Sequence, residues 1–102
     1  MKAQYTKESL QPVIVTRLSD GSINIRYSVP PESLYYSRGI NYVVEDGVMK
    51  IVMTRNNVKT DSRAMLEGSV PDDNKWKKDI VVPYKGEKVI IVYSDAEEQV
   101  YP

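Results

Sequence analysis

The residues able to do chemistry in this chain are few, and the missing types inform as much as those present. Its 102 residues include no histidine and no cysteine. Ser-His-Asp and Cys-His catalysis therefore lack their base or their nucleophile, and zinc or copper sites lack their usual nitrogen and sulfur ligands. The five glycines occur singly, so there is no glycine-rich phosphate loop of the dinucleotide or Walker kind. Carboxylate, lysine, serine and tyrosine chemistry remain. Acidic pairs stand at Asp72-Asp73 and Glu97-Glu98. Glycosidase chemistry needs two carboxyls facing one another across a substrate, which neighbours on a polar loop or tail do not supply. They read as solvated charges. Asp72, Asp73 and Asn74 offer oxygens to a calcium ion, but the alternating ligand spacing of an EF-hand loop is missing. The expectation is a protein that is not an enzyme and uses neither cofactor nor metal.

Binding chemistry is better represented. The chain has eight tyrosines and no phenylalanine. Tyrosine joins an apolar body to a polar tip, so it suits half-buried strand positions and interfaces alike. Tyr27, Tyr42 and Tyr93 alternate with apolar residues and read as packing, one of them bonding a backbone group through its hydroxyl. Tyr35 and Tyr36 differ. Neighbours in an extended segment point opposite ways, so one of them should face outward beside Arg38, and exposed tyrosine and arginine are common anchors of binding surfaces. Trp76 lies among Lys75, Lys77 and Lys78. It either stacks a ligand ring or covers the edge of the core while the lysines stay in water. Tyr35, Tyr36, Arg38 and Trp76 are the candidate partner-binding residues. The plainer reading is a loop and a ring packed down over a sheet end.

Fourteen basic and fourteen acidic residues leave no formal net charge. A duplex nucleic-acid binder needs a basic surplus to neutralise phosphates, and here Asp72, Asp73 and Asp79 dilute the lysines around Trp76, so no nucleic acid is expected. Near-zero charge also gives little electrostatic protection against self-association. No apolar stretch is long enough to span a bilayer, and the first residues carry no signal region. Strand-rich, tyrosine-rich composition tilts the expectation slightly toward an exported protein, periplasmic or on the cell surface, over a cytoplasmic one.

Two Asp-Gly dipeptides reveal the elements that must hold these residues. Asp-Gly suits the two-residue type I′ loop, whose central residues both take positive φ. With Asp20-Gly21 as the loop, Leu18 faces Ile23, Thr16 faces Ile25 and Ile14 faces Tyr27. With Asp46-Gly47 as the loop, Val44 faces Met49, Tyr42 faces Ile51 and Ile40 faces Met53. Residues 23–29 alternate as a strand with one wet face, ended by Pro30-Pro31. Residues 32–39 are a connection with a short strand or one helical turn. Residues 62–67 are a helical turn, or a short strand ended by Gly68. The runs 79–84 and 87–93 are apolar on both faces, as in interior strands, with Lys85-Gly86 making either a hairpin or a crossover between sheets. Residues 1–11 and 95–102 read as polar arms, the first alternatively an edge strand.

About seven strands in one domain of this length predict an all-β fold. The expected form is an antiparallel two-sheet sandwich with the strand count and spacing of immunoglobulin-like or fibronectin-III-like domains, with a small β-barrel as the alternative. The function expected from this reading is a non-catalytic module that binds another protein, of a bacterial envelope or surface system. A carbohydrate-binding module and an accessory subunit of an enzyme are the alternatives.

Overall fold

The second Asp-Gly hairpin forms as its sequence dictates. In the computed structural model, which describes residues 3–59, 64–69 and 76–101, Asp46 and Gly47 take φ of 54° and 75°. Both values suit a type I′ loop. The flanking strands, β4 (Gly39–Glu45) and β5 (Val48–Met53), pair Val44 with Met49, Tyr42 with Ile51 and Ile40 with Met53.

The first hairpin keeps its strands but shifts by one residue. β1 (Val13–Arg17) and β2 (Ser22–Ser28) pair Val13 with Tyr27, Val15 with Ile25 and Arg17 with Ile23. Gly21 alone takes positive φ here, at 83°, and the Leu18 amide donates to the Ser22 carbonyl at 2.9 Å. The loop is therefore Ser19-Asp20-Gly21, the three-residue form with glycine in the left-handed position. The shift turns β1 over. Val13 and Val15 pack on the core, while Ile14 is 52% exposed.

The remaining elements are a 3-10 turn (Glu8–Leu10), β3 (Tyr35–Tyr36), β6 (Asn56–Asn57), β7 (Leu66–Glu67), β8 (Lys77–Pro83), β9 (Lys88–Val92) and β10 (Glu97–Tyr101). Two sheets pack face to face, in the orders β1-β2-β8 and β10-β9-β5-β4-β7, and β3 with β6 makes a small ribbon at one end. The core between them is built from Ile23, Ile25 and Tyr27 of β2, Ile80 and Val82 of β8, Met49 and Ile51 of β5, and Val89 and Ile91 of β9. The molecule is an all-β sandwich.

Three expectations change and, at Lys85-Gly86, one of two open alternatives is taken. The pairing is not antiparallel throughout, because β5 and β9 run parallel. Lys85-Gly86 is a crossover, since β8 pairs with β2 and β9 with β5. β8 has one wet face, with Val81 55% exposed. The two ends of the chain are not polar arms. Tyr5 and Leu10 are buried in the core, and β10 pairs with β9. Leu66–Glu67 is the short strand alternative, followed by Gly68. The candidate calcium ligands Asp72, Asp73 and Asn74 lie outside the described residues.

The two sheets are stitched along one side. Ser69 and Asp79 exchange backbone hydrogen bonds of 2.9 Å, linking the segment after β7 to β8. On the other side β1 runs alongside β10 without pairing. No helix among the described residues is long and apolar enough to cross a membrane.

Candidate functional site

A knot of buried polar groups sets the end of the sandwich where β3 and β6 lie. The Tyr27 hydroxyl lies 2.6 Å from the Ser37 hydroxyl and donates to the Gly39 carbonyl at 3.0 Å. This is the backbone-locking tyrosine foreseen among Tyr27, Tyr42 and Tyr93. Burial pushes its pKa well up. Thr54 Oγ1 accepts from the Gly39 amide and donates to Asn56 Oδ1 at 2.7 Å, and Asn56 Oδ1 accepts from the Arg38 amide at 3.1 Å. Ser37, Thr54 and Asn56 are all buried. Such groups are stable inside a protein only when bonded. Here they tie the entrance of β4 to the exit of β5, and so hold the Tyr35–Arg38 segment in place.

Three of the four candidate residues meet. Tyr35 and Tyr36 from β3 and Trp76, just before β8, line one groove of about 450 Å³, together with Glu32, Ser33, Val58 and Lys78. Both tyrosines are half-buried. Trp76 packs against the core, and its carbonyl accepts from the Val29 amide at 2.8 Å. Arg38 lies next door. It lines a depression of about 220 Å³ with Tyr36, Glu67, Gly68 and Lys78, and its Nε donates to Glu67 at 2.7 Å. Tyr36 and Lys78 border both hollows.

No family model, no curated protein and no solved structure matches this chain. The site therefore has to be read from its own geometry.

One wall of the groove is stiff. Arg55 donates two hydrogen bonds to the Glu32 carboxylate, of 3.1 and 2.5 Å, and its guanidinium carbon lies 3.8 Å from the Tyr35 ring centre. The planar fork suits both partners at once, gripping a carboxylate and stacking on a ring. Those hydrogen bonds hold the Glu32 carboxyl below its ordinary pKa. Beside this pair lies the buried Tyr5 hydroxyl, without a hydrogen-bond partner among the described residues, its pKa pushed up to about 12 by burial and by the charge of Glu32. Lys78 is half-buried, and its pKa is lowered by burial and by the charge of Arg38.

Glu32 and Arg55 were not singled out in the sequence, and Lys78, read there among the lysines left in water around Trp76, is half-buried instead. Glu32 and Arg55 are far apart in the chain, and only the β3–β6 ribbon, pairing Tyr35 with Asn57 and Tyr36 with Asn56, joins them. Lys78 carried a readable signal. It has the parity of Ile80 and Val82, the inward-facing positions of β8. The acidic pair Glu97-Glu98 forms no site. On β10, Glu97 lies 3.5 Å from Lys50 and Glu98 2.8 Å from Lys7, in exposed ion pairs.

Proposed function

We propose that the chain is a non-catalytic interaction module that binds another protein through the groove of Tyr35, Tyr36 and Trp76. The observation that carries this reading is the convergence of those three rings, from segments forty residues apart in sequence, on a single hollow with charged residues at its margin. Binding surfaces concentrate their energy in such aromatic anchors. The groove also sits where strands end and connections begin, which is where sandwiches present recognition loops. Its setting in this reading is outside the cytoplasm, in a bacterial envelope or surface system, an assignment supported only by the strand-rich, tyrosine-rich composition.

The convergence also favours a second reading, a carbohydrate platform, because sugars stack on aromatic faces. Arg55 weakens that reading. It occupies one face of Tyr35, and both tyrosines are half-buried rather than open.

A photo-crosslinking side chain installed at Tyr36, and separately at Thr16 on the outer face of β1, separates the two. The expected result is a protein adduct from position 36 and not from position 16, when applied to an extract of the source cells. Tyr36→Ala should weaken capture of that partner by about 1 to 2 kcal/mol, with the folded spectrum unchanged. Groove-localised amide shifts with neutral oligosaccharides, and no adduct at position 36, would replace this reading by the carbohydrate one.

A further inference from the structure

Lys78 faces the wrong way for an ordinary surface lysine. On β8 it lies on the side of Ile80 and Val82, both buried, and pairs across to Tyr27, so its side chain turns in over the end of the core. No carboxylate ion-pairs with it among the described residues, whereas Lys7, Arg26, Arg38, Lys50 and Arg55 each have one. A half-buried cation without an ion-pair partner works against folding. A carboxylate arriving from outside would compensate it. Burial and the neighbouring Arg38 charge both disfavour the bare ammonium, and the nearby Glu67 carboxylate, itself bonded to Arg38, offsets them only in part, so the position still favours a second anion.

The two hollows that share Tyr36 and Lys78 set the direction. An extended chain lying across both hollows passes Lys78, which they share with Tyr36. We propose that the groove binds an extended peptide segment of a partner protein, with an internal Asp or Glu side chain paired to Lys78 and an adjoining apolar side chain seated against Tyr36, Val58 and Trp76. The carboxylate belongs to a side chain and not to a chain terminus, because the surface continues as a hollow on both sides of the lysine. This inference rests on the groove being the recognition surface.

The test uses three pools of acetylated, amidated hexapeptides with Glu, Gln or Lys at a central position and Leu, Val, Tyr or Pro around it, titrated against the isotope-labelled protein. The Glu pool should shift the amides of Tyr35, Tyr36, Lys77 and Lys78 and bind about three- to tenfold more tightly than the Gln pool. Raising salt from about 50 to about 500 mM should shrink that margin. Lys78→Gln should abolish the preference while melting no lower than the parent, and Lys78→Arg should retain it. Equal binding of Glu and Gln pools to the groove, or loss of the preference in Lys78→Arg, would overturn the carboxylate inference and leave the recognition surface standing. Binding of no pool, binding away from the groove, or groove shifts with an acidic oligosaccharide alone would overturn both.

Discussion

Two buried tyrosines at the groove end show how one hydroxyl can carry a fold and another not. The Tyr27 hydroxyl bonds the Gly39 carbonyl and meets Ser37, so removing it takes two buried hydrogen bonds from the knot, although the Gly39 carbonyl still accepts from the Thr54 amide. Tyr27→Phe should lower stability by about 0.5 to 1.5 kcal/mol. The Tyr5 hydroxyl is buried with no partner among the described residues, so Tyr5→Phe should be neutral or stabilising. Urea titration of both variants checks the contrast, and equal losses would show that the polar knot does not bear on stability. Gly39 sits in the same knot. A Cβ there would stand 1.8 Å from the Leu66 carbonyl oxygen, so only glycine lets β4 and β7 approach. The backbone-locking tyrosine was legible as one of three, but its partners were not, because Gly39 and Ser37 look like ordinary connection residues in the sequence. Tyr35, Tyr36 and Trp76 were legible by type. Their shared groove was not, because it is assembled by pairing between β3 and β6 and by where β8 begins.

At the level of elements, the two hairpins divide cleanly in what could be read from them. β4–β5 was legible because its loop offers two residues, Asp46 and Gly47, that both accept positive φ. β1–β2 was misread by one place because β1 is apolar at both parities, with Val13 and Val15 on one side and Ile14 and Leu18 on the other. Alternation alone does not choose between them. β2, apolar at one parity only, kept its face in either register. Both turns still demand their glycines. Gly21→Val and Gly47→Val should each cost on the order of 1 to 3 kcal/mol, since a β-branched residue is strained at positive φ, although neither position is crowded. An unchanged urea midpoint in both variants would contradict the turn geometry. The β8–β9 crossover was left open in the sequence because Lys-Gly supports a hairpin or a bend equally well, and the choice was made by partners distant in the chain.

For the molecule as a whole, the absence of histidine leaves no side chain with an ordinary pKa near neutrality, and stability should be flat from about pH 5 to pH 8. The flanks should differ in cause. Arg26 hydrogen-bonds Asp79 and Arg55 hydrogen-bonds Glu32, and each carboxyl is held below its ordinary pKa. A depressed folded pKa contributes stability above the unfolded value and loses it as pH falls through the folded one. The acid limb therefore begins within the usual carboxylate range and runs on below it, and is shallow because these pairs are partly in water. On the alkaline side burial raises Tyr5 to about 12 from an ordinary 10.0. A raised pKa contributes stability below the unfolded value and loses it as pH rises through the folded one. The fold should weaken between about pH 10 and pH 12 as tyrosines ionise on unfolding, and Tyr5→Phe should blunt that limb in melting experiments. A step near pH 6 to 7 would contradict the account. The crossover has a further consequence. The Tyr84 amide donates to the Gly21 carbonyl and the Lys88 amide to the Gly47 carbonyl, each at 3.0 Å, so one short connector leans on a turn from each sheet. The Tyr84 hydroxyl closes it on itself by donating to the Glu87 carbonyl at 2.8 Å. Damage at either turn is then felt by the other through this shared strut, and their energies are not independent quantities. The end of the molecule opposite the groove works as a single joint.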